Sequence, residues 1–489
     1  MNAFILVFYT YLLFSASQRG VFGWLGKIFG LEEDKSIVMH NGLASVTIYE
    51  YLDPDVNPCD NFYKFACGNW IKTMKTLKKD DKSIGIRSEQ INFLRFVDDA
   101  HMGRYNDESK MVHTIYQLRK KCEQLPKDKI KDCQSEIYNF GKYALSSVFV
   151  KLNQKKSEEN GDYAYLADMI NRIKEEFRLL IDKKRDMFDE ETRNNFKSKL
   201  HKMKFLKENS ELYYVSDVYL MEQCYDMLGI KNYDVEIEDL IKNIKQIKAL
   251  SSNHMNDSKT CRAKIFQPEN YMDLLVFRNG MYSPDGNYFS VNSDAVNQPS
   301  FSTTFPHSLN YGGIGTLIGH EIIRAFDSDN YRRILEGENE NEFNVTTLSI
   351  KNFKEESDCF VEQYSVQKEN ITNKNINGSL TLARNIADNG GQKIAFRAYM
   401  NFFRSNGDKD SSVPAYEKFN KEQLFFIGAA RRHCSYETED ILEKQIETNE
   451  YTPSEIRVNT AFSNSVYFYR AFSCPETTKM NDQLKCDLW

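Results

Sequence analysis

Apolar residues recur at helical spacing over much of this chain. In Ser308–Asp327, SLNYGGIGTLIGHEIIRAFD, the positions Ile314, Leu317, Ile318, Ile322 and Phe326 keep the period of one helical face, and Tyr311-Gly312-Gly313 reads as a loop leading into it. Leu166, Ile170, Ile173, Phe177 and Leu180 keep the same period. So do Phe196, Leu200 and Met203, after the acidic start Asp189-Glu190-Glu191 that suits a helix N-terminus. Residues 71–250 therefore read as mostly helical. Asn279-Gly280 breaks this pattern and is a common hairpin pair. No internal repeat or long low-complexity segment interrupts the pattern.

The chain has 489 residues, a length that suggests about two to four domains. Its hydrophobic fraction of 41% is enough for sizeable cores. The net charge of −6, with no long basic stripe, argues against a nucleic-acid partner. The opening run AFILVFYTYLLFSAS is apolar, ends in small residues and reads as a secretory signal cut near Ser17. It is shorter than the ~20 apolar residues that span a bilayer, and no basic tail precedes it. The alternative is an uncleaved anchor that would hold the chain at the cell surface. Ten cysteines behind a signal peptide point to disulfides and not to metal ligands. Asn256, Asn344, Asn370 and Asn377 each open an N-x-S/T triplet, which agrees with the secretory route and glycosylation.

The chemistry concentrates at His320-Glu321-Ile322-Ile323-Arg324. With His in place of Arg324 this would be H-E-x-x-H, in which two imidazoles one turn apart hold zinc and the Glu activates water. A guanidinium has no lone pair to donate and stays protonated. The remaining histidines, His40, His101, His113, His201, His254, His307 and His433, lie outside this helix and the 382–388 segment.

GIGTLIGHE, LARNIADNGG at Leu382–Gly391 and the final Cys486-Asp487-Leu488-Trp489 resemble, in order, the neprilysin and endothelin-converting-enzyme family of zinc ectopeptidases. The resemblance begins near Asp53-Pro54, in DPDVNPCDNFYKFACGNW, and runs to Trp489. It implies a mainly α (α+β) fold: a thermolysin-like body with a small sheet, and a helical cap that limits substrates to small peptides. The expected parts are a signal peptide over 1–17, a stalk over 18–52, a catalytic-like body from 53–75 and 251–489, and a cap over 76–250. The cap looks cut down at Val150–Asp162, where relatives carry many more residues. The resemblance also implies the disulfides Cys59–Cys474, Cys67–Cys434 and Cys359–Cys486. Three pairings remain for Cys122, Cys133, Cys224 and Cys261, and proximity favours Cys122–Cys133 with Cys224–Cys261.

Carried over residue by residue, His320 matches the first zinc ligand, Glu321 the general base, and Asp327 and Asp388 the carboxylates behind the ligands. Arg324 and Arg384 stand where the family has its second and third ligands. Tyr451 stands where it has a transition-state His, and Arg457 matches its substrate-gripping Arg. Asn279 matches an edge-strand residue that pairs with substrate backbone, and Gly280 replaces Ala beside it. Each arginine at ~4 Å and an effective dielectric of ~20 would repel a divalent ion by up to about 8 kcal/mol. No cofactor is therefore expected, although zinc serves the family. Without zinc, Glu321, Asp327 and Asp388 would be buried carboxylates lacking a cation. The i,i+3 pair Arg324/Asp327 and the i,i+4 pair Arg384/Asp388 are expected to form salt bridges across the former metal site.

The function this implies is a secreted, catalytically inert relative that binds or sequesters extracellular peptides, or regulates an active family member. Two other classes stand beside it. One is a weak metallopeptidase acting on small extracellular peptides. The other is an interaction or structural protein whose cleft is a relic.

Overall fold

A computed structural model describes residues 35–77, 85–206, 217–230, 235–250, 260–277, 279–333 and 345–489. The expected signal peptide, residues 18–34 of the expected stalk, Asn256 and Asn344 lie outside the described residues. The protein is mainly helical, with one two-stranded and one three-stranded sheet among the described residues.

Among the described residues the apolar side chains form two cores. The smaller is built by α1 (Ile91–His101), α2 (Lys110–Cys122), α3 (Lys127–Asn160), α4 (Val218–Met227) and α5 (Ile237–Leu250). Phe93, Phe96, Ile115, Phe140, Val148, Met221 and Leu240 fill it, and Ile265, Met272 and Val276 join from the segment that follows. The larger core takes residues from Ala44 to Trp489. Residues 166–203, which the resemblance placed in the cap, pack in the larger core: Phe177, Phe188 and Phe196 surround the Trp489 indole. The chain passes between the cores at Gly161. There α3 ends in a left-handed residue (φ 71°) and a new helix, Asp162–Lys183, begins at once. The polar run Val150–Asp162 is thus the last turns of a 34-residue helix and the start of the next.

In the three-stranded sheet, β2 (Tyr288–Val291) is central. It pairs antiparallel with the edge strand β1 (Gly280–Ser283) and parallel with Lys204–Phe205. The hairpin turn falls at 284–287, where Asn287 has φ 44°; Asn279-Gly280 lies at the start of the edge strand and is not the turn.

The segment around the HEIIR motif is helical earlier than its glycines suggest. His307–Asn310, the π-helical Tyr311–Gly315 and α6 (Thr316–Arg324) run on without a break. Tyr311-Gly312-Gly313 is therefore no loop. A Cβ on Gly312 or Gly313 would collide with the backbone of Phe425 or Ser300, so these glycines serve close packing.

Five disulfides tie the chain: Cys59–Cys474, Cys67–Cys434, Cys122–Cys133, Cys224–Cys261 and Cys359–Cys486. The first two fix the Phe62–Leu77 helix to the C-terminal helices, where Phe62 meets the rings of Phe468 and Phe472 at 4.7 and 5.0 Å.

Candidate functional site

Two helices make the site. α6 carries His320, Glu321 and Arg324, and α7 (Leu382–Ser405) carries Arg384 and Asp388. They cross where Gly319 faces Gly391, and a Cβ on either would strike the other helix's backbone. That approach brings His320 to Asp388, with Nδ1 and Oδ1 2.7 Å apart. Asp388 also accepts from Arg457 Nε at 2.5 Å and Nη2 at 2.7 Å.

Burial sets the protonation of this group. It drives His320 down to about 3, against the pull of Asp388, so the imidazole is neutral. Burial would raise Asp388, but Arg457 and His320 hold it well below the usual carboxylate range. Burial lifts Glu321 to about 7 despite Arg384, Arg324, Arg432 and Arg457 around it. His320 and Glu321 are each only 2% exposed, yet His320 Nε2 and Glu321 Oε2 have no hydrogen-bond partner.

The two arginines on the site helices behave differently. Arg324 turns back to Asp327 at the end of its own helix and reaches Asp329 at 3.6 Å. Burial still lifts Asp327 to about 7, with Arg324 opposing. Arg384 does not pair with Asp388, because Arg457 and His320 already fill that carboxylate. It pairs instead with Glu450 at 3.0 Å and lies over the Tyr451 ring, 4.5 Å from its centroid. Arg457 contacts the same ring at 4.8 Å. Of the two expected pairs, Arg324 makes its local one with Asp327 and Arg384 does not make its own with Asp388.

Gly280 brings the edge strand against this floor. A Cβ there would lie 2.8 Å from Glu321 Oε1 and 2.9 Å from its Cγ. The Asn279 carbonyl is already taken by the Asn292 amide at 2.8 Å.

The zinc that the motif implies does not suit this donor set. Among the described residues no group of three His, Cys, Asp or Glu side chains is placed to hold a metal. His320 Nε2 is a suitable donor, but Arg324 and Arg384 bring cations where donors are needed.

Several site residues gave no sequence signal. Lys199 is buried beneath α6 and donates to the carbonyls of Ala325 and Asn330 at 2.8 Å and of Arg333 at 3.1 Å. Burial lowers it to about 7. Arg432 is buried behind the site with its Nη1 2.5 Å from His433 Nε2. Glu450 is separated from Arg384 by 66 positions. The run Ala430-Arg431-Arg432-His433, cations following an apolar stretch, was the one available hint. Of the glycosylation triplets, Asn370 and Asn377 are exposed. No described helix is long and apolar enough to cross a membrane.

A His-Glu pair on one helix, oriented by a carboxylate from a second, is the framework of a zinc-metallopeptidase fold. Residues 279–488 match the model of peptidase family M13. Neprilysin-1 of Caenorhabditis elegans is 33% identical over 362 residues, covering 73% of this chain and 46% of that protein. Endothelin-converting enzyme 1 of Homo sapiens is 29% identical over 398 residues, covering 79% and 47%. The Mycobacterium tuberculosis zinc metalloprotease ZMP1, solved with an inhibitor, superposes with a TM-score of 0.51 at 20% identity, over 75% of this chain and 52% of that one. The Haemonchus galactose-containing glycoprotein complex gives 0.52 at 21% identity, over 74% and 56%. The chain belongs to the neprilysin and endothelin-converting-enzyme family. It spans about half the length of the curated relatives it matches.

Proposed function

We propose that this chain is a non-hydrolytic, secreted member of its family that binds extracellular peptides. One observation carries the reading. Arg384, at the position of the third zinc ligand, is engaged with Glu450 and Tyr451, and His320 Nε2 is left as a lone imidazole donor. One neutral imidazole beside guanidinium groups is a poor site for a divalent ion. Without a Lewis acid to polarise the scissile carbonyl, Glu321 and His320 lack the main electrostatic contribution to peptide hydrolysis. The edge strand at Gly280 remains available in type for strand addition by an extended peptide. Its disulfides fit an oxidising compartment. The test is elemental analysis of the purified, oxidised chain together with a peptide-cleavage assay. Less than a tenth of an equivalent of zinc and no cleavage are expected. One zinc per chain with cleavage would overturn the reading.

A further inference from the structure

We propose that the partly exposed Arg384–Glu450 pair is a carboxylate-binding site, with Arg384 as its anchor and Glu450 as an internal carboxylate that a ligand displaces. The proposal rests on the reading that the chain binds peptides, and it names what part of the peptide is recognised.

Of the three arginines at the matched positions, two are committed. Arg457 is held by Asp388, and Arg324 by Asp327, carboxylates that are almost fully buried. Arg384 differs. Its side chain is 16% exposed, while its partner Glu450 is 56% exposed. An ion pair with one partner largely in water is weak and exchanges readily. The pair also uses the guanidinium incompletely. Glu450 takes Nη2 at 3.0 Å, whereas Arg384 Nε is buried with no hydrogen-bond partner. A guanidinium presents its N–H groups as a planar fork that matches the two oxygens of one carboxylate. Glu450 fills one prong and leaves the neighbouring donor unmet. A ligand carboxylate seated on both prongs would satisfy a buried donor that the free protein leaves orphaned.

The surroundings favour exchange without unfolding. Arg384 lies over the Tyr451 ring, 4.5 Å from its centroid, which limits the freedom it must lose on binding. The turn that carries Glu450 is pinned on both sides of it. Asn449 Oδ1 accepts from the Tyr451 amide at 2.9 Å, and the Tyr451 carbonyl accepts from Gln445 at 3.1 Å. The Glu450 side chain can therefore rotate away while its backbone stays in place. Arg384, a cation where the family has a metal ligand, thus becomes the receptor for an anion. The carboxylate is either a peptide's C-terminus or an acidic side chain.

The test is calorimetric titration of the full chain with three acetylated pentapeptides of leucine, phenylalanine and alanine. One ends in a free carboxylate, one in an amide, and one in an amide but with a central glutamate. At least one carboxylate-bearing peptide should bind at least about tenfold more tightly than the neutral amide, and which one does so identifies the source of the carboxylate. Glu450→Gln should tighten that peptide by about three- to tenfold and leave the neutral amide unchanged. Arg384→Gln should reduce it to the level of the neutral amide. Equal binding of all three peptides would overturn the carboxylate site while leaving peptide binding intact. Binding of none would overturn both. An unchanged affinity in Glu450→Gln would overturn the role of Glu450.

Discussion

Asp388 and Arg457 meet edge to edge, with Nε to Oδ2 at 2.5 Å and Nη2 to Oδ1 at 2.7 Å, and His320 closes on the same carboxylate. The three groups come from three helices: α6, α7 and Ser454–Ser463. In a metal site such a carboxylate would orient the imidazole ligand. The same bonds also have a structural role. They join the helices at the point where glycines have brought two of them close.

Asp388→Asn should therefore be among the most damaging single changes. It leaves the Arg457 guanidinium buried without an anion, and a broken buried pair costs about 3–5 kcal/mol. The midpoint of urea unfolding should fall accordingly with an unchanged slope. Arg384→Gln should move it by less than about 1 kcal/mol, because its partner is mostly exposed.

Gly280 and Glu321 should be energetically coupled. Gly280→Ala places a methyl within 2.9 Å of the Glu321 side chain in a packed wall, and overpacking of this kind costs about 1–3 kcal/mol. Glu321→Ala removes the obstructing atoms together with an unpartnered buried carboxyl. The double variant should lose less stability than the sum of the singles, with an interaction of at least about 0.5 kcal/mol in a double-mutant cycle. Additive losses would show that the strand and the Glu321 side chain move apart freely.

These contrasts show what the sequence could reveal. The helix through Ile314, Leu317, Ile318 and Ile322 was legible because all four are buried at the expected spacing. Arg324 and Asp327 met because i,i+3 neighbours on one helix are fixed by local geometry. Arg384 took Glu450 because tertiary packing had already committed Asp388 to Arg457 and His320. Local spacing cannot report that competition. Gly312-Gly313 was misread because glycine marks loops and close backbone contacts alike, and only the neighbouring Phe425 and Ser300 backbone decides between them. Residues 166–203 fell into the larger core because their partners, such as Trp489, are hundreds of positions away. Lys199 was hidden for a similar reason: in a polar-looking helix nothing marks one lysine as buried.

Lys199 and Asp327 together predict a pH dependence. Burial lowers Lys199 to about 7 from an ordinary 10.5, with Asp327 opposing. Between pH 7 and 10.5 the unfolded chain thus binds more protons at this residue than the folded one, and stability rises with pH. Asp327 has the opposite sign. Burial raises it from 3.8 to about 7, so the folded chain binds more protons in that window and stability falls as pH rises through it. The contribution of the pair is at its minimum near pH 7. Lys199→Met with Asp327→Asn should lack this trough, so the difference between variant and wild-type unfolding free energies should peak near pH 7. A difference that stays flat from pH 4 to 10 would show that neither group is shifted.

Metal linkage gives the sharpest contrast. A ligand that binds only the folded state raises its stability by RT ln(1 + [L]/Kd), about 2.7 kcal/mol at a hundred times Kd. If His320 is the one suitable donor at the site, zinc at micromolar concentration should leave the thermal midpoint of the wild-type chain unchanged, and chelator should leave it unchanged as well. Arg324→His with Arg384→Glu supplies the two missing donors on helices already held at the Gly319–Gly391 crossing. With Tyr451→His added, the positions matched to the family's ligands and transition-state residue are all restored. The triple variant should gain one zinc, a midpoint several degrees higher and sensitivity to chelator. A triple variant that folds and takes up no metal would mean that these positions are not where the ligands belong. A wild-type chain whose midpoint falls in chelator would mean that an ion is held by groups other than the ones matched here.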